Sequence, residues 1–220
     1  FENDFSLRSQ LDSHLSALPG FRHYHVSVNG QQIYRPYADT FQINESVSDR
    51  IKSAETFEFK AMDGSILARG WVAKTNLLAS IPRRCAMRGI RVRQGNISIG
   101  DEYLLEDVFS ERRFATWHIG SIEVSQHLRP NARRDGFEET PAYERFLEHA
   151  AMLGRHLSKQ CRSESKLRIS KSSLDRKLNL AEAALKIEFF LDEAHRESTI
   201  KALQKHLLGL SAVGQPAGNI

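Results

Sequence analysis

A chain of 220 residues, 40% hydrophobic and 26% charged, can build one large domain or two small ones with real cores. Its formal net charge of +4 permits an anionic partner without demanding one. The two cysteines, Cys85 and Cys161, form no C-x-x-C pair, which argues against a disulfide framework or a zinc knuckle and fits a reducing, cytoplasmic setting.

No apolar run approaches the roughly 20 residues that a bilayer span requires, so no membrane partner is expected. No signal peptide is visible. The chain opens on FENDFSLRSQ without a methionine, as expected of a piece of a longer protein.

Phe5, Leu7, Leu11, Leu15 and Leu18 recur at helical spacing and predict a first helix that ends at Leu18-Pro19-Gly20. The period then changes to two. Tyr24, Val26 and Val28 alternate with His23, His25 and Ser27, and Asn29-Gly30 predicts a two-residue hairpin turn. Residues 43–55, INESVSDRIKSAE, read as one helical turn or a long loop. A second hairpin is predicted around Asp63-Gly64, with Phe57 and Phe59 on one face and a return strand through Trp71.

A third β region is predicted from RGIRVRQGNISIGD (88–101) to RFATWHIGSIEVS (113–125), with a helical turn in EYLLEDVFSE between them. Ile90 and Val92 should face a core, and Arg91 and Arg93 should point outward as a solvated face. From Thr140 the pattern is helical: Thr140 is placed as N-cap, Pro141 as the first helical residue, and Phe146, Ala150, Leu153 and Leu157 on one face. The polar stretch 159–173 should interrupt that helix. A second helix is then predicted from about Ser173, with Leu180, Ala184, Ile187, Leu191 and Ala194 at heptad-like spacing. The tail SAVGQPAGNI should fray. The layout is α+β over residues 1–138, followed by a helical region, 139–220.

Several chemistries find no pattern to rest on. There is no phosphate-binding G-x-x-x-x-G-K-[ST] loop, no G-x-S-x-G elbow and no G-x-G-x-x-G turn. His23 and His25 share a strand face but lack an obvious third metal ligand. Asp101-Glu102 and Glu138-Glu139 read as loop and helix-N-terminal charges.

The segment HLRPNARRDGFEETP (127–141) stands apart, because it gathers Arg129, Arg133 and Arg134 on one short connection between a strand and a helix. Guanidinium groups match phosphate oxygens through a planar fork of donors. Pro130 and Asn131 would stiffen the loop. Two readings stand side by side: an anion-binding loop, or a solvated connector with Arg134 paired to Asp135 or Glu138.

HLRPNARRD, between a strand and a helix, resembles the middle-domain loop of Hsp90-type chaperones, where the pattern is leucine, proline, leucine, asparagine, two small residues, arginine and an acid. Leu128, Asn131, Arg134 and Asp135 fall on the matching positions. The block from about Arg88 to Leu157 is also similar to bacterial Hsp90-like proteins that carry the histidine kinase, gyrase and Hsp90 (GHKL) type of ATPase domain. The likeness covers about a third of the chain.

It implies a ribosomal protein S5 domain 2-like middle domain in which Arg134 reaches the γ-phosphate of ATP. Asn131 would shape the loop, with Arg133 and Arg129 as further candidate contacts. ATP and Mg2+ would be held mainly by an N-terminal ATPase domain that this sequence lacks, so the fragment alone would be inactive. Protein clients and a homodimer through the helical region are the partners implied. The sequence departs from the family in three ways: Pro130 directly precedes Asn131, Glu138 stands where the chaperones carry an amide, and the span between Gly100 and Phe114 does not follow the chaperone pattern. The alternatives are a non-catalytic module that holds nucleic acid with the basic loop, and a protein-binding scaffold that uses the helical surface 141–208.

Overall fold

A computed structural model describes residues 5–186 and 192–213. Helix α1 (Arg8–Ser16) is followed by two small antiparallel ribbons, β1 (Val26–Val28) with β2 (Gln31–Ile33) and β3 (Thr40–Gln42) with β4 (Ser48–Arg50). A five-stranded sheet comes next: β5 (Ser53–Lys60), β6 (Ile66–Lys74), β7 (Gly89–Gln94), β8 (Ile97–Ile99) and β9 (Ile119–Val124). Two 3-10 turns, Glu106–Val108 and Arg112–Trp117, lie between β8 and β9. Helix α2 then runs Pro141–Lys186, and α3 runs Glu193–Val213. The architecture is α+β.

The sheet order is β5-β6-β9-β7-β8, and β9 pairs parallel with β7 while the remaining pairings are antiparallel. Strand β9 is therefore central, and all six of its residues are buried. Its alternation carries Ile122 and Val124 to one face and Ile119, Ser121 and Glu123 to the other. On the first face, Phe59, Val72, Ile90 and Val92 pack with Phe146, Ala150 and Leu157 of α2. On the second, Trp71, Ala73 and Ile119 pack with Phe5, Leu11 and Leu15 of the α1 segment and with Tyr37 and Phe41.

Local signals in the sequence recur in the structure. Asn29 and Gly30 both adopt left-handed φ, 52° and 78°, at the β1–β2 turn. The Thr140 hydroxyl accepts a hydrogen bond from the Tyr143 N–H (3.2 Å), capping α2.

Four expectations are corrected. Residues 43–55 are neither a helical turn nor one long loop: Ser48–Arg50 is a strand, and β5 begins at Ser53. The Asn44 side chain closes the intervening turn by accepting from Ser46 and Val47 (2.9 Å each). Residues 159–173 do not interrupt the helix, since the stretch holds good helix formers and neither Gly nor Pro. His23 and His25 precede β1 rather than lie in it, and they bond Ser16 and Gln32 respectively. Arg91 and Arg93 are not a solvated face. Arg91 pairs with Glu102 at 3.1 Å, and Arg93 donates to the Ser98 hydroxyl at 2.9 Å.

The chain divides into two compact units, Phe1–Cys161 and Arg162–Ile220. The first therefore includes the opening turns of α2. In the second, Leu167, Ile169, Leu178 and Leu180 are exposed along α2. Of the heptad-like seam, Ile187 and Leu191 lie outside the described residues. Among the described residues, no helix is long and apolar enough to cross a membrane.

Candidate phosphate-binding loop and its cavity

The loop after β9 is closed at its base by apolar anchors. Leu128 and Phe137 are buried in the α2-facing core, and Pro130 forms an isolated β-bridge with Phe137. The Arg129 carbonyl accepts from the Glu138 N–H (2.8 Å), and the Gly136 carbonyl accepts from the Asn131 N–H (3.0 Å). Four residues, 132–135, remain between the ends of the inner closure to form the turn.

Asn131 organises that turn. Its amide donates to the Asp135 carboxylate (2.7 Å), its side-chain oxygen accepts from the Asp135 N–H (3.2 Å), and its carbonyl accepts from the Arg134 N–H (3.0 Å). Arg134 itself adopts φ 55°, a left-handed conformation uncommon outside glycine and asparagine. Its carbonyl accepts from the Gly100 N–H at 2.7 Å, which ties the tip of the loop to the turn after β8. A side chain on Gly100 would meet the Asp135 carbonyl at 3.2 Å on a backbone with φ 62°, so this close approach favours glycine.

The three arginines part company here. Arg133 pairs with Asp135 (3.1 Å) and its side chain is 85% exposed. Arg129 is exposed beside the base of the loop. Arg134 is exposed and has no acidic partner among the described residues, so the solvated-connector pairing of Arg134 with Asp135 or Glu138 does not form. Arg134 lines a cavity of about 180 Å³ with Arg22, Tyr24, Gln94 and Gln126. Arg129, Asn131 and Arg133 are not among its lining residues.

No family model matches the chain, and no curated protein does either.

Arg22 escaped sequence reasoning. It lies between α1 and the first ribbon, in a stretch whose only legible signal was the strand alternation that follows. Nothing local to Phe21-Arg22-His23 marks it as a neighbour of the arginine loop.

The cavity is smaller than the roughly 300–1,000 Å³ of ordinary small-molecule pockets, so it suits a phosphate group or two rather than a whole nucleotide. The described residues also hold no group of three or more His, Cys, Asp or Glu able to bind a metal ion.

A second concavity, of about 710 Å³, lies across the β7–β8 turn and is lined by Arg8, Tyr24, His25, Tyr34, Arg35 and Arg93, among others. Beneath it Arg35 reaches the buried carboxylate of Glu123 at 3.0 Å, and the Asn96 N–H donates to the same carboxylate at 3.2 Å. Burial raises the pKa of Glu123 above the ordinary carboxylate value, although Arg35, Asn96 and Arg93 act in the opposite direction.

Proposed function

We propose that this chain is the middle region of an Hsp90-like ATPase, with the ribosomal protein S5 domain 2-like fold, working in the cytoplasm. Arg134 serves the γ-phosphate of ATP, which is held with Mg2+ by a separate N-terminal domain of the same protein. Nucleotide state is thereby coupled to closure of the two domains. Clients, or a second copy of the chain, would meet the helical region.

One observation carries this reading: an arginine with no acidic partner among the described residues, held at a left-handed backbone position by Asn131 and Gly100 at the tip of a closed loop. A cation carried on a backbone position fixed in advance stabilises developing negative charge with less reorganisation as the reaction proceeds.

The test is Arg134→Ala in the full-length protein. ATP binding should persist while turnover falls by roughly 10³, the scale on which positioned arginines act in phosphoryl transfer. Unchanged turnover overturns the reading.

A second reading, single-stranded nucleic-acid binding, is favoured by the larger groove rather than by the basic loop. Tyr24, which is 50% exposed, lines it together with Arg8 and Arg93, giving a stacking face beside guanidinium groups, while Arg35 is committed to Glu123. Filter binding of a single-stranded oligonucleotide at two salt concentrations tests it. A steep loss of affinity with salt, abolished by Tyr24→Ala, supports this reading; no binding at low salt removes it.

A further inference from the structure

We propose that Arg22 is the second arginine of a two-arginine receptor for the terminal end of a polyphosphate, with Arg134 the first. This inference rests on the Hsp90-like reading for the identity of the nucleotide, but not for the receptor itself.

Arg22 and Arg134 come from segments far apart in sequence, yet both line the same small cavity. Both are exposed, and neither has an acidic partner among the described residues. No acidic residue lines the cavity. Two cations bordering one concave space repel each other, and a bound polyanion would reverse the sign of that interaction.

The remaining walls sort into frame and donors. The Gln94 amide donates to the carbonyls of Ser125 (2.9 Å) and Leu128 (2.6 Å), so it is committed to bracing β7 against the root of the arginine loop. Gln126 lies close to Gly20, where an added Cβ would sit 3.2 Å from its amide nitrogen. Its side chain has no partner among the described residues, leaving a neutral donor between the segments that carry the two arginines.

A terminal phosphate offers three oxygens in a tetrahedron and can accept from two guanidinium forks at once. A carboxylate offers two coplanar oxygens and suits a single fork. The cavity volume admits the end of such a chain but not a base and ribose with it. The receptor therefore grips the phosphate end of a ligand whose remainder is held by another domain.

The experiment measures inorganic tripolyphosphate binding to this chain by titration calorimetry, with thermal melts to confirm that each variant is folded. Arg22→Ala and Arg134→Ala should each weaken binding about tenfold or more, and Arg22→Lys should retain part of it. The exposed Arg83→Ala, which removes the same charge outside the cavity, should change little. If Arg22→Ala binds tripolyphosphate as the unaltered chain does, the inference is overturned. It is equally overturned if poly-glutamate competes as well as tripolyphosphate.

Turnover of the full-length protein separates the two readings. Dependence on Arg134 with indifference to Arg22, in both binding and turnover, overturns the two-arginine receptor and leaves the ATPase reading standing. Tripolyphosphate binding that needs both arginines, with turnover indifferent to Arg134, supports the receptor and removes the ATPase reading.

Discussion

Asn131 and Asp135 clasp each other across the arginine loop, the Asn131 amide donating at 2.7 Å and its oxygen accepting the Asp135 N–H at 3.2 Å. Between these two residues the backbone turns through the left-handed Arg134. The clasp, together with the Gly100 bond to the Arg134 carbonyl, sets where that side chain starts. Asn131→Ala removes both bonds, each worth about 1 kcal/mol. Amide exchange at Arg134–Gly136 should then accelerate and tripolyphosphate affinity should fall several-fold, with little change in global stability. Unaltered exchange would mean that Pro130 and the Gly100 bond hold the turn unaided.

Arg35, from the segment between β2 and β3, pairs with Glu123 of the central strand, whose side chain is wholly covered. Removing the cation alone strands a carboxylate. Arg35→Met should cost roughly 3–5 kcal/mol in urea unfolding. Adding Glu123→Gln to that variant should recover much of the loss. A double variant no better than the single one would show that packing, not charge, dominates there.

His118 is buried, with its Nε2 3.3 Å from the Cys161 thiol, and desolvation, aided by the nearby His156, lowers its pKa to about 4. An unfolded histidine titrates near 6.5. The unfolded chain therefore binds the extra proton first as pH falls. His118 contributes its full stabilisation above about pH 6.5 and loses it progressively down to about pH 4, a swing of roughly 3 kcal/mol at most. Unfolding free energies at pH 7.5 and 5 should differ accordingly. His118→Gln should flatten that part of the pH dependence.

Gly154 sits where α2 passes the first 3-10 turn. A Cβ there would lie 2.7 Å from the Val108 carbonyl carbon and closer still to its oxygen. Glycine to alanine within an open helix stabilises by up to about 1 kcal/mol. At this position the sign should reverse, with Gly154→Ala costing about 1–3 kcal/mol as the turn is pushed off the helix. A thermal melt that rises would show that the two elements separate easily.

Contiguous residues set much of this protein in advance. Asn29-Gly30 specifies a turn because both positions need left-handed φ, and Thr140-Pro141 starts α2 because one residue caps and the next is pre-set for helix. Asn131 was legible as a stiffener for the same reason, since its partner Asp135 is only four residues away. The misreadings over 43–55 and 159–173 also came from local evidence: a polar strand on a small ribbon shows weak alternation, and a polar helix facing solvent resembles a break.

What only the tertiary structure decided are the relations between distant segments. The parallel pairing of β7 with β9 makes β9 central, and that burial turns Glu123 from a surface acid into the buried partner of Arg35. The chain path after α1 brings Arg22 to the cavity beside Arg134. A short-range code reports backbone preferences and caps, whereas the meeting of two arginines depends on how the whole sheet and its covering segments pack. The loop's shape was thus written in HLRPNARRD, and its second cation was not.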